Sequence, residues 1–171
     1  MTLVKCAIEI DAYNANQRLR MNINEQAPAN STRELHIEAT CEVVSGLVAD
    51  INNWPRWNPA VSRARLDGPF APGSIILWKS GGSSLVSTIQ DVERPTRVAW
   101  TGETFGVTGV HVWDLKAVGT GVLVRTSESF DGWLVRLFRS PFQRLLDKAL
   151  EEALRSLKTA AEKLGHGGGT A

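Results

Sequence analysis

SPFQRLLDKALEEALRSLKTAAEKLG, residues 140–165, is the most strongly patterned stretch of the chain. Phe142, Leu145, Leu146, Ala149, Leu150, Ala153, Leu154, Leu157, Ala160, Ala161 and Leu164 recur at steps of three and one, which places them on one face of an α-helix. Arg144, Lys148, Glu151, Glu152, Arg155, Lys158, Glu162 and Lys163 fall on the other face. Ser140 reads as the N-cap and Pro141 as the first helical residue, where the missing N–H costs little. Gly165 reads as the stop, leaving 165–171 as a flexible tail. At 1.5 Å per residue the helix Pro141–Leu164 is roughly 36 Å long. That is about the width of seven strands spaced ~4.8 Å apart. A helix with so long an apolar face requires a broad apolar partner.

Residues 61–130 supply one. Strand-like alternation runs over Val61–Leu66, Ser74–Lys79, Ser84–Val92, Arg97–Glu103, Thr108–Lys116 and Val122–Phe130. Gly68-Pro69, Pro72-Gly73, Gly81-Gly82, Pro95, Gly106 and Gly119–Gly121 punctuate these runs, and such short links favour antiparallel hairpins. A seventh strand is expected at Thr32–Ala39, where Leu35, Ile37 and Ala39 alternate with Glu34, His36 and Glu38. Thr40 is placed to cap a helix carrying Val43, Val44, Leu47, Val48 and Ile51, ended by Asn52 and Asn53. In WPRWNP, residues 54–59, Pro55 and Pro59 admit only a short helical corner, pinned by Trp54 and Trp57.

The first thirty residues stand apart. Val4, Cys6, Ile8 and Ile10 alternate with polar neighbours, as do Leu19, Met21 and Ile23, and Asn24–Ser31 reads as a linker. Residues 1–31 are therefore an extension, either a two-strand hairpin or a loosely ordered arm, ahead of a main domain over 32–164.

Composition narrows the function classes. A chain of 171 residues with 43% hydrophobic and 22% charged residues fits one globular domain. A net charge of +1 removes the electrostatic argument for a nucleic-acid binder. No apolar run approaches the ~20 residues of a membrane span. Lys5, Glu9 and Asp11 interrupt any secretory apolar core, so the expected location is cytoplasmic. Cys6 and Cys41 form no metal or disulfide motif, and no metal or cofactor site is expected. Cys41, near a helix start, is placed for a lowered pKa but lacks the partners of a nucleophile.

Four segments carry a family likeness: ADINNWPRWNPAV (49–61), LDGPFAPGS (66–74), WTGETFGVTGVHVWDL (100–115) and TSESFDGWL (126–134). With them the chain resembles the SRPBCC superfamily of START, Bet v 1-like and polyketide cyclase/dehydrase-like domains, most closely the last. The likeness spans about residues 32–164. It implies the helix-grip fold, in the α+β class. In that fold a curved seven-stranded antiparallel sheet wraps around a long C-terminal helix, and two short helices follow the first strand. It also implies a cavity between sheet and helix for apolar or amphipathic molecules, with catalysis in only some members.

The residues point to a pocket on their own account. His111, Trp113 and Leu115 share one strand face, and Val122, Val124, Thr126, Glu128 and Phe130 share another. Turned inward, these faces and those of Trp78 and Trp100 give an aromatic wall holding two isolated polar groups, His111 and Glu128. Such a lining suits a pocket on the order of 300–1,000 Å³. The expected ligand-binding set is Trp78, Trp100, His111, Trp113, Val124, Thr126 and Glu128, with His111 and Glu128 as the acid/base pair if the domain catalyses. The same residues also read as ordinary core tryptophans, a satisfied histidine and a glutamate paired with Arg125, Arg97 or His111. Three functions follow. The first is a binding protein for a small hydrophobic or aromatic ligand, as monomer or homodimer. The second is a polyketide cyclase/dehydratase-type enzyme, and the third is an interaction protein using the N-terminal arm.

Overall fold

The computed structural model describes residues 20–167. Strand β1 (Ala29–Ile37) is followed by α1 (Cys41–Ala49), a 3-10 turn (Ile51–Asn53) and α2 (Trp54–Trp57). Strands β2 (Val61–Asp67), β3 (Ile75–Ser80), β4 (Ser83–Glu93), β5 (Arg97–Thr104), β6 (Val107–Val118) and β7 (Gly121–Asp131) come next, and then α3 (Trp133–Leu137) and α4 (Arg139–Gly167). All seven strands form one sheet in the order β1-β7-β6-β5-β4-β3-β2, every pair antiparallel. Helix α4 lies across its concave face, with Leu146, Leu150, Leu154, Leu157 and Ala161 buried. Fully burying each leucine is worth roughly 1.5–3 kcal/mol. This is the helix-grip architecture expected from the sequence.

Several boundaries differ. Helix α4 begins at Arg139, so Ser140 and Pro141 lie in its first turn and Ser140 is not the N-cap. The helix also continues past Gly165 to Gly167, shortening the expected tail. A glycine ends a helix only by turning left-handed, and Gly165 is not among the residues with positive φ. Helix α3 was not anticipated; it buries Val135 against Ala29, Val107, Leu146 and Leu150. Thr40 does cap α1, its Oγ1 accepting from Val43 N at 3.4 Å, but that helix stops at Ala49. Trp54 is buried in the corner, with Nε1 donating to Val48 O at 2.9 Å.

Strand β1 starts at Ala29, three residues ahead of Thr32, because Ala27 and Ala29 are already buried and Ala29 pairs with Phe130. Residues 20–23 form no strand, and the alternating stretch 4–10 lies outside the described residues. Instead Arg97, buried on the sheet's outer face, pairs with Asp91 at 3.0 Å and with Asp114, and donates to Met21 O and to Asn22 Oδ1 at 3.1 Å. The segment before β1 is thus fastened to the domain. Cys41 behaves opposite to the sequence reading, since burial and the neighbouring Glu42 push its thiol pKa up.

Candidate functional site

The sheet does not fill the space under the N-terminal half of α4. A cavity of about 230 Å³ remains there, somewhat smaller than the sequence suggested. Its buried end is formed by Trp100, His111 and Ser87, and its outer rim by Gly81, Ser83, Glu103 and Leu145, all exposed. Phe142, Leu145, Leu146 and Ala149 of α4 close it from above. Among the described residues no Lys or Arg is in the lining.

Cross-strand register assembles the polar end. Trp100 faces His111 across β5 and β6, and His111 faces Glu128 across β6 and β7. The His111 ring lies between two indoles, 4.8 Å from Trp100 and stacked at 5.3 Å on Trp113. Its Nε2 bonds Thr126 Oγ1 at 2.8 Å. Its Nδ1 has no hydrogen-bond partner among the described residues and sits 3.5 Å from Glu128 Oε1. Burial drives both groups toward their neutral forms. His111 is pushed down to about 3, and Glu128 is pushed up to about 8. At pH 7 the cavity therefore presents a carboxylic acid beside a neutral imidazole, which offers a donor and an acceptor but no charge.

Of the residues singled out in the sequence, Trp78, Trp100, His111 and Glu128 line the cavity. Trp78 is braced by Nε1 donating to Ser87 Oγ at 3.0 Å and by edge contact with Trp54 at 5.6 Å. Trp113, Val124 and Thr126 face the same way but are not in the lining. Trp113 and Val124 belong to the solid core with Val98, Leu115 and Leu157, while Thr126 is spent on His111. Glu128 has His111 as its neighbour; Arg97 and Arg125 face the outer side, Arg125 lying 3.7 Å from Glu34. The sequence reading missed Ser87, Gly102, Gly109 and the α4 residues as lining, and it turned Phe130 inward without counting it among the ligand-binding residues. The signal for the glycines was their position inside strand patterns, where a missing side chain marks a close approach or an opening.

Among the described residues no cluster of His, Cys, Asp or Glu could hold a metal ion, and no helix is long and apolar enough to cross a membrane. A curved antiparallel sheet gripping one long helix, with an apolar cavity ending in a polar pair, defines a helix-grip domain. Residues 28–162 match the family described as polyketide cyclase / dehydrase and lipid transport, and the chain belongs to that family. Solved structures share the fold. A hypothetical protein from Helicobacter pylori superposes with TM-score 0.74 at 14% identity, over 84% of this chain and 95% of that one. A START superfamily protein from Mycobacterium smegmatis gives 0.64 at 14%, over 79% and 98%. The di-domain ARO/CYC StfQ of the steffimycin biosynthetic pathway gives 0.68 at 14%, over 91% and 56%. At these identities the likeness is one of fold. No curated protein matches the chain.

Proposed function

We propose that the chain is a binding protein for a small apolar or aromatic molecule, held between the sheet and α4 with its polar end at His111 and Glu128. The observation that carries this reading is the cavity, apolar along its walls and ended by a buried histidine whose Nδ1 has no hydrogen-bond partner among the described residues. An unpaired buried polar atom costs about 1–3 kcal/mol, and a ligand hydroxyl or carbonyl reaching Nδ1 and Glu128 would recover it. Titration calorimetry with two neutral probes, 2-naphthol and 1-decanol, tests the reading. At least one binds the intact protein, and His111→Ala weakens it about tenfold while melting cooperatively. Binding of neither probe, or binding indifferent to His111→Ala, overturns it.

The same pair supports a second reading, acid–base catalysis of the cyclase/dehydratase type, a chemistry to which the family description and the name of StfQ lend weight. In dehydration of a β-hydroxy ketone, neutral His111 would take the α-proton and protonated Glu128 would give its proton to the departing hydroxyl. A C–H and a C–O bond break, a C=C bond forms and water leaves. The proton on His111 then returns to Glu128, 3.5 Å away. Loss of water from such a substrate, followed by mass spectrometry and abolished in Glu128→Gln, would favour the enzyme over the carrier.

A further inference from the structure

One transverse row of the concave face carries almost no side-chain bulk where it crosses β4, β5 and β6. Ser87 on β4 faces Gly102 on β5, Gly102 faces Gly109 on β6, and Gly109 faces Phe130 on β7. The adjacent row, two residues along, is Trp100, His111 and Glu128. Two glycines opposite each other inside a sheet weaken both strands. No backbone requirement explains them, since neither has positive φ. A Cβ on Gly102 would stand 3.1 Å from Ser87 Oγ and meet no other atom within 4 Å. One on Gly109 would come to 3.2 Å from the Phe130 ring. Ser87 and Phe130 both line the cavity, so each added carbon would occupy cavity space.

We propose that Gly102 and Gly109 set the specificity of this cavity, Gly102 leaving its backbone bare and Gly109 letting the Phe130 ring close against its strand, so that together they form a floor on which a planar, uncharged ring system lies with its hydroxyl or carbonyl turned to His111 and Glu128. The inference rests on the ligand-binding reading and sharpens it. A flat ring gains contact over its whole face only from a flat surface, whereas an alkyl chain packs equally well into a groove broken by methyl groups. Charge selects in the same direction. Among the described residues the lining has no Lys or Arg for an anionic head group, and its only carboxyl groups are Glu128 and, at the rim, Glu103.

Gly102→Ala and Gly109→Ala test the proposal, each measured with 2-naphthol and with 1-decanol, which share a hydroxyl and differ in shape. Each variant weakens 2-naphthol at least tenfold and 1-decanol less than threefold, and Gly102→Ala, whose close neighbour is the rotatable Ser87 hydroxyl, still melts cooperatively. Unchanged 2-naphthol affinity in both variants, or equal losses for the two probes, overturns the proposal. So does an intact protein that binds only 1-decanol, although the ligand-cavity reading then survives. An intact protein that binds neither probe removes both. Should Phe130 fail to give way in Gly109→Ala and cooperative melting be lost, Gly102→Ala decides the matter.

Discussion

The same three strands and the same helix build a solid core at one end and a cavity at the other. At the solid end, Val98 on β5, Trp113 and Leu115 on β6 and Val122 and Val124 on β7 meet Leu154, Leu157 and Ala161 of α4. At the hollow end the corresponding positions are Gly102 on β5, Gly109 on β6 and Glu128 and Phe130 on β7, under Phe142, Leu145 and Ala149. The two ends share their strands and their helix but differ in the side chains that those strands carry. The fold is stabilised where the strands carry branched and aromatic residues, and space is left where they carry glycine and serine. Filled core and open space are consequently divided along one helix.

Substitutions along α4 should expose that division most sharply. Leu154→Ala or Leu157→Ala removes packing from the solid end and should cost about 2–5 kcal/mol in urea denaturation. Leu145→Ala, at a residue 58% exposed on the cavity rim, should cost less than about 1 kcal/mol while altering probe affinity. Equal costs at the two ends would erase the distinction.

Removing the segment before β1 tests whether the solid end includes it. Deletion of residues 1–30 takes away the start of β1 and the two Arg97 contacts at Met21 and Asn22. Hydrogen bonds to a charged group are worth ~1.5–3 kcal/mol each, so the truncated chain should lose at least about 2 kcal/mol. Deletion of 1–19 leaves those contacts in place and should retain them. A 1–30 deletion that melts like the full chain would show that the Arg97 contacts contribute nothing.

The smallest effect comes from the polar pair at the hollow end. Glu128 keeps its proton in the folded state up to about 8 against an ordinary 4.5, so stability falls as pH rises through that interval. His111 stays neutral down to about 3 against an ordinary 6.5, so stability falls as pH drops through that one. Between 4.5 and 6.5 the two slopes cancel, giving a plateau, with limbs of up to about 1.4 kcal/mol per pH unit on either side. Glu128→Gln should flatten the alkaline limb and, with the opposing slope gone, replace the plateau by a continuation of the acid limb up to 6.5. Urea midpoints measured from pH 4 to 9 check this, and an alkaline limb unchanged in the variant would show that Glu128 ionises freely.

How much of this was legible in the sequence follows from what each feature depends on. Residues 140–165 disclosed α4 because amphipathic periodicity is a local property, and the strand runs were legible for the same reason. Helix ends were less so, since Gly165 continues the helix instead of capping it. Strand alternation also placed Trp78, Trp100, His111 and Glu128 correctly on the concave face. It could not separate Trp113, Val124 and Thr126, which share that face but sit where α4 closes down. Whether an inward residue lines a space or fills one depends on what stands opposite, and the pairing of Gly102 with Gly109 exists only once the register is known.

On the proposed reading a small molecule occupies the hollow end and leaves the solid end untouched. Intermolecular nuclear Overhauser effects between 2-naphthol and the intact protein test it most directly. Cross-peaks are expected from the naphthol ring to Trp78, Trp100 and Phe142, and none to Leu115, Val124 or Leu157. Cross-peaks to the second group, or to residues of the outer sheet face such as Val110, would contradict it.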